Sequence, residues 1–358
     1  MKPVKIAMLS LTHGHTRKYY QTLNDNPKLE WVAVHAETET VRNNFLKYGY
    51  KVPCYMDEKE MFDKHPDIEA VVMASANSKH ILQFRECARR GIHVLCMKIP
   101  TFNMDEYTEI EEIVEKSGIV CQIELEMHYN PVVTRLYELA AKKELGKVSA
   151  INATNITLSP IWAFPWQGVP EESYGKRVPL SPGDNRFRGG ALCDHPHVFD
   201  LIRWITGSDF DYVYAEAGPN FRQDIEVEDN LVINGKMKNG TSFLFDPSWS
   251  RLEERLKVPG PGWEIYPKRM EVNVTISCEN GVLLADCFGP NVYHNGLPND
   301  RYTVQYTYFD EWIGLMDEFV DCVRNTKTPK INLKWHRKTI EFINACYESI
   351  SSCNVVHL

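Results

Sequence analysis

The sequence predicts an α/β domain followed by an α+β domain. Three observations carry that prediction. The chain has 358 residues, which at roughly 150 residues per domain gives about two domains. Residues 1–125 alternate short apolar runs with helical patterns. After residue 130 that rhythm gives way to long alternating stretches interrupted by few helices.

The elements follow in order. Val4–Leu11 reads as a buried strand, Thr16–Asn26 as a helix, Trp31–His35 as a second strand and Thr40–Tyr48 as a helix ended by Gly49. Ile68–Ala74 is another apolar run, followed by a helix from His80 to Arg90 with Gly91 behind it. His93–Cys96 and Ile119–Gln122 read as strands on either side of a helix over Met104–Ser117. This βα rhythm predicts a parallel sheet with helices on both faces. Pro131–Lys143 then reads as a helix that stops at Leu145-Gly146. Val148–Leu158, Tyr212–Ala217, Asn230–Lys238, Thr241–Phe245, Glu271–Ser277 and Thr303–Phe309 alternate like strands of an antiparallel sheet. Lys238-Asn239-Gly240-Thr241 is a hairpin turn signal. Helices over Pro196–Ile205, Asp310–Arg324 and Trp335–Ser349 stand apart from these strands, and Val258–Pro267 reads as a loop.

Composition narrows the function. Apolar residues at 43% supply a sizeable core without disulfide or metal staples. A net charge of −8 without a long basic run argues against nucleic acid as a partner. No apolar stretch approaches the roughly 18 residues of a membrane span. Val4–Leu11 is short for a secretory leader and lacks a small-residue cleavage site. The ten cysteines include no CxxC spacing, which fits a reducing compartment. The expectation is a cytoplasmic protein.

Open α/β sheets bind ligands at the carboxyl ends of their strands. The first such end is Ser10-Leu11-Thr12-His13-Gly14-His15. A dinucleotide site usually carries G-x-G-x-x-G there. In register, the three glycine slots hold Ser10, Thr12 and His15. The helix start behind them still favours an anion, and hydroxyls can donate to phosphate. An ordinary strand–helix turn is the competing reading. Glu37, at the end of the second strand, suits a ribose 2′-hydroxyl and repels a 2′-phosphate. Residues 36–41 hold no Arg or Lys, which favours NAD over NADP. Glu37 could equally open the next helix, where a carboxylate complements the dipole.

Two later segments add chemistry. Gly91–Pro100 ends a strand in Lys98. Gly189–Gly207 places Pro196 at a first helical position, Asp194 just before the helix and His197 in its first turn. A helix start disfavours a protonated imidazole, which suits a neutral base. Asp194, His195 and His197 are also ligand-type side chains. No fourth ligand is identifiable, so the segment is read without metal.

Together these segments resemble the Gfo/Idh/MocA family of glucose–fructose oxidoreductases, inositol dehydrogenases and rhizopine-catabolism oxidoreductases. The family's Thr-Pro-Asn turn, its following His and its Gly-Lys-His-Val…Glu-Lys-Pro segment resemble Ser75, Ala76, Asn77, His80 and Gly91–Pro100. Its Gly-Gly-Gly-x-Leu-x-Asp-x-x-x-His-x-x-Asp-x-x-x-Trp motif resembles Gly189–Trp204. Leu145-Gly146-Lys147-Val148, Asp246–Ser250 and Tyr347-Glu348-Ser349 match further family segments. The departures are specific. Met97 stands where the family has Glu, and Ile99 where it has Pro. The Asp-to-His spacing is three rather than four, and Glu124 and His128 replace the usual Gly and Arg.

The resemblance implies a Rossmann-type nicotinamide domain over 1–125. Over 126–358 it implies an α+β domain with a large, mostly antiparallel, open-faced sheet for substrate and oligomerisation. It implies NAD, with NADP less favoured, and a homodimer or homotetramer. It implies hydride transfer from a secondary hydroxyl of a sugar, glycoside or cyclitol. His197 is then the base, Lys98 the donor that steadies the developing alkoxide, and Asp194 the residue that orients His197 or a substrate hydroxyl. Ser10, Thr12, His13, His15, Glu37, Ser75, Asn77, His80 and Lys98 would hold the cofactor. His195, Glu126, Trp166 and Trp249, with Trp162 as a further candidate, would line the substrate. Two other readings keep the same fold: an enzyme that retains NAD and uses transient sugar oxidation for cleavage, and a non-catalytic sensor of sugar and NAD.

Overall fold

The computed structural model describes residues 2–13, 15–141, 145–157, 177–179, 187–249, 271–288, 291–296, 300–305 and 310–358. They form two compact units. The described residues of the first fall within Met1–Glu126 and Trp312–Arg337, and those of the second within Met127–Ser159, Gly175–Glu311 and Lys338–Leu358.

The first unit is the doubly wound sheet that the alternating pattern predicts. Its strands are β1 (Val4–Leu9), β2 (Leu29–His35), β3 (Cys54–Tyr55), β4 (Ala70–Met73), β5 (His93–Met97) and β6 (Cys121–Glu124). Their order is β3-β2-β1-β4-β5-β6, and every pairing is parallel. The order reverses between β1 and β4, which places the ligand crevice at their carboxyl ends. β4 is buried throughout and β1 at every position but Lys5, which is why both read as apolar runs. The helices are α1 (Thr16–Asp25), α2 (Glu39–Leu46), α3 (Glu58–Lys64), α4 (Asn77–Arg90) and α5 (Met104–Ser117).

Three local differences from the sequence reading have physical causes. β3 is only two residues long, so no alternation marks it. α3 is short but capped: the Asp57 side chain accepts from the Glu60 amide, and Lys64 closes the last turn. α4 begins at Asn77, three positions before His80, so Asn77 and His80 share one helix face. Trp312–Arg337 belong with this unit through long-range bonds. Arg324 donates to Glu69 at 2.6 Å, Gln122 to the Leu315 carbonyl at 3.1 Å, and the Tyr107 hydroxyl to the Leu333 carbonyl at 2.8 Å.

The second unit opens with a 3₁₀ turn over Glu126–Tyr129 and α6 (Pro131–Ala141). Its strands are β7 (Val148–Ile156), a small pair β8 (Val178–Pro179) and β9 (Phe187–Arg188), then β10 (Phe210–Ala217), β11 (Leu231–Met237), β12 (Ser242–Asp246), β13 (Glu271–Cys278), β14 (Gly281–Asp286), β15 (Asn291–Gly296), β16 (Asp300–Gln305) and β17 (Val356–His357). Nine of them form one sheet, β16-β15-β14-β13-β7-β12-β11-β10-β17. Only the β12–β7 pairing is parallel. The Asn239-Gly240 turn joins β11 to β12 as the hairpin signal predicts. β8, β9, β14, β15 and β17 escaped the sequence reading; β8, β9 and β17 are two residues long and their pattern too brief to register. On β13, Val272, Val274 and Ile276 are buried while Asn273, Thr275 and Ser277 are half-buried, so one sheet face is packed. That core is aromatic: Phe210 stacks on Phe342 at 3.8 Å, beside Phe199, Phe243 and Phe245. α7 (Ala191–Asp194) and α8 (Pro196–Thr206) carry the motif segment. Among the described residues, no helix is long and apolar enough to cross a membrane.

Candidate active site

In the first unit the site begins in the loop after β1. Ser10 has φ +75°, the left-handed conformation for which a glycine is normally used. For an L-residue that costs roughly 1–2 kcal/mol. Its hydroxyl lies 2.9 Å from the Thr12 hydroxyl and accepts from the Thr12 amide at 3.2 Å. Serine therefore keeps the backbone shape of the first glycine slot and ties it down with its own side chain. His13 Nδ1 accepts from the His15 amide at 3.2 Å. Burial, followed by the nearby charges of His15, Lys98 and His80, holds His13 well below the usual histidine range.

The end of β2 holds Glu37. Both of its carboxylate oxygens are shielded from solvent and have no hydrogen-bond partner. A buried acceptor left unpaired is costly.

The end of β4 and the end of β5 are laced together. Asn77 Nδ2 donates to the Ile99 carbonyl. The His80 ring spans two backbone segments, with Nδ1 2.8 Å from the Pro100 carbonyl and Nε2 3.0 Å from the Ser75 carbonyl. Both carbonyls only accept, so a neutral ring can donate to one and a protonated ring to both. The Ser75 hydroxyl donates to Gln83. The Lys98–Ile99 peptide bond is cis. Ser75, Asn77 and His80 thus shape the turn around Lys98, which is itself buried.

A charged cluster lies at the end of β6. His15 Nδ1 is 2.7 Å from Glu124 Oε1, and the Lys98 amide donates to Glu124 Oε2 at 3.3 Å. Glu124 is fully buried. Trp312 and His13 pack edge-on against the His15 ring. Burial alone would lower the pKa of His15, but the Glu124 carboxylate outweighs it and the value is raised. Burial first, and the Glu124 charge second, push Glu126 up to about 8. The ligand-type atoms of His15, Glu124 and Glu126 all lie within 4.8 Å of one another. The His15 imidazole and the Lys98 amide face Glu124, and the raised value of Glu126 keeps that carboxyl protonated beside them at neutral pH.

In the second unit Gly190 has no room for a side chain, because an added Cβ would lie 2.2 Å from Glu228 Oε1. Glu228 receives the Leu192 amide at 3.2 Å and the Tyr347 hydroxyl at 3.0 Å, and Tyr347 also meets Cys193 at 2.9 Å. These contacts set the segment that presents Asp194. As expected, Asp194 lies just before α8, with His195 as the cap between it and Pro196, and it also ends the short α7. His195 and His197 are both buried. Trp249, expected against substrate, is 1% exposed. Its indole N–H donates to Asp194 Oδ2 at 3.1 Å, so it orients that carboxylate instead of offering an open ring face. Trp162 and Trp166 lie outside the described residues.

The sequence reading noted Glu124 and His128 only as departures, and the structure gives both a partner. His128 Nε2 is 2.5 Å from Asp200 Oδ2. Asp200 also accepts from Thr339 at 2.9 Å, and the His128 ring lies against Trp204 at 4.6 Å. The histidine at the family's arginine position therefore pairs with the motif's second aspartate.

A parallel sheet whose order reverses between β1 and β4, with Glu37 after β2 and Lys98 after β5, fits an oxidoreductase with an NAD-binding Rossmann domain. The chain belongs to the Gfo/Idh/MocA family: "Oxidoreductase family, NAD-binding Rossmann fold" matches residues 7–125 and "GFO/IDH/MocA C-terminal domain" matches residues 133–283. It is 26% identical over 262 residues to the uncharacterized oxidoreductase YrbE of Bacillus subtilis, covering 71% of this chain and 70% of that one. It is 22% identical over 235 residues to the myo-inositol 2-dehydrogenase of Thermotoga maritima, covering 63% and 64%. The crystal structure of myo-inositol 2-dehydrogenase from Lactobacillus plantarum has the same fold, with a TM-score of 0.77 at 19% identity over 100% of both chains. The residues present fit NAD. Glu37 offers two unpaired acceptors, and Ser10 holds the backbone shape that the missing glycine would have supplied.

Proposed function

We propose that this protein oxidises a secondary hydroxyl of a sugar, glycoside or cyclitol in an NAD-dependent reaction. One observation carries the reading: Lys98 is buried at the end of β5, its backbone held by Glu124 and the following turn held by Asn77 and His80. Ser10, Glu37 and the turn around Lys98 would hold NAD, which would supply the hydride acceptor for the carbinol carbon. Lys98 donates to the substrate oxygen and favours its alkoxide form. His197, in the first turn of α8, takes the hydroxyl proton. Asp194, held by Trp249, orients His197 or a neighbouring substrate hydroxyl. Glu37 selects NAD over NADP by charge. An acidic chain favours a neutral polyol over an anionic substrate.

The test is NADH absorbance across a panel of aldoses, glycosides and inositols, with product analysis in parallel. Net NADH with one class of polyol is the expected result. Substrate cleavage without net NADH would replace this reading by the NAD-retaining one. Full activity in both Lys98→Ala and His197→Ala would overturn the assigned roles.

A further inference from the structure

Two departures from the family pattern meet at one side chain. The third glycine slot of the fingerprint holds His15, and the position before the family lysine holds Met97 in place of Glu. On the parallel strands β5 and β6, Met97 and Glu124 are register partners. Register partners in a parallel pair point to the same face, with strands about 4.8 Å apart. A carboxylate at 124 therefore starts one strand away from where a carboxylate at 97 would. From there Glu124 makes two bonds: one oxygen takes His15 Nδ1 at 2.7 Å and the other takes the Lys98 amide at 3.3 Å. Glu124 is 0% exposed, so neither bond competes with water.

We propose that Glu124 supplies, from the neighbouring strand, the carboxylate that position 97 lacks, and acts with His15 as the positioning pair for Lys98 and the loop after β1. The histidine in the glycine slot and the methionine before the lysine are then a single coupled change. His15 would not fit its role without Glu124, and Glu124 replaces a residue that has no carboxylate. The raised pKa of His15 agrees with a ring held against this carboxylate. The inference rests on the family's NAD site and on Lys98 as its lysine; it does not require the substrate to be known.

The experiment is fluorescence titration of NADH into the full-length protein, with unfolding temperature as a check on the fold. Glu124→Gln keeps the shape and removes the charge; NADH affinity should fall at least tenfold. Glu124→Gly should fall as far, and Met97→Glu added to it should restore affinity to within about threefold of wild type, since ten-fold steps are well resolved in such titrations. A merely structural role for Glu124 would not be rescued from the adjacent strand. Wild-type affinity in a folded Glu124→Gln variant, or failure of Met97→Glu to improve a folded Glu124→Gly variant, would overturn the proposal. Because NADH binding alone is read, a failed substrate panel would count against the proposed function and leave this result intact.

Discussion

The two motif-bearing regions hold their functional side chains by different means. In the first unit they stand at strand ends and are fixed by charge: one buried carboxylate, Glu124, ties together His15 and the Lys98 backbone. In the second unit they stand at helix starts and are fixed by packing, with neutral donors doing the orientation. Trp249 holds Asp194, and Gly190 admits Glu228. Polar pairs there, His128 with Asp200 and Arg203 with Asp209, fasten α8 to neighbouring segments. The first region should therefore respond chiefly to charge, and the second to shape and to the protonation of Glu228, which burial pushes up to about 7.

The largest effect should come from the chemistry itself. Lys98→Ala is expected to lower turnover by about 10³–10⁴-fold, or roughly 4–5 kcal/mol on the barrier. Steady-state kinetics on an identified substrate would check it, and a loss below tenfold would remove the lysine from the reaction. Next comes Asp200→Ala, which leaves His128 and Thr339 without their buried partner. Breaking one side of a buried pair costs roughly 3 kcal/mol or more. Denaturant unfolding should show that loss, and Asp200→Asn should recover part of it by keeping the packing.

Glu37→Ala tests the cofactor end of the first unit. Removing its charge should raise NADP affinity relative to NAD by about tenfold, close to 1.4 kcal/mol. Titration with both dinucleotides decides the point; an unchanged ratio would place discrimination elsewhere. The smallest effect is on pH dependence. Glu126 is raised to about 8 from an ordinary 4.5, by burial and then by Glu124. A group raised in the folded state contributes stability that is fully present below its unfolded value and is lost as pH rises through the folded one. His15 is also raised and acts in the same direction. Unfolding temperature should therefore fall between pH 5 and 9, and Glu126→Gln should flatten that fall. A variant with an undiminished slope would show that another group controls it.

Much of this was legible in the sequence for local reasons. Apolar runs alternating with helical periodicity reveal a parallel sheet, because strands buried on both faces carry no alternation of their own. Pro196 and Gly207 bracket α8 through their own backbone preferences. Lys98 and the Asp194–His197 segment stand out because strand ends and helix starts are where an α/β chain can present chemistry. The fate of Trp249 was not legible, since an indole looks the same in sequence whether it faces a sugar or a buried carboxylate. The short α3 carried its cap at Asp57 in plain view, but its seven residues gave it too little period to stand out.

The sequence by itself determined the order of the elements, the family and the identity of the residues that can move a proton. These follow from periodicity and side-chain chemistry, which are local. Only the tertiary structure decided which of them meet. His15 and Glu124 are 109 positions apart, and Met97 faces Glu124 because β5 and β6 pair in one particular register. Strand register is set by the packing of the whole sheet. That is why three separate oddities in the sequence became one site only when the sheet was assembled.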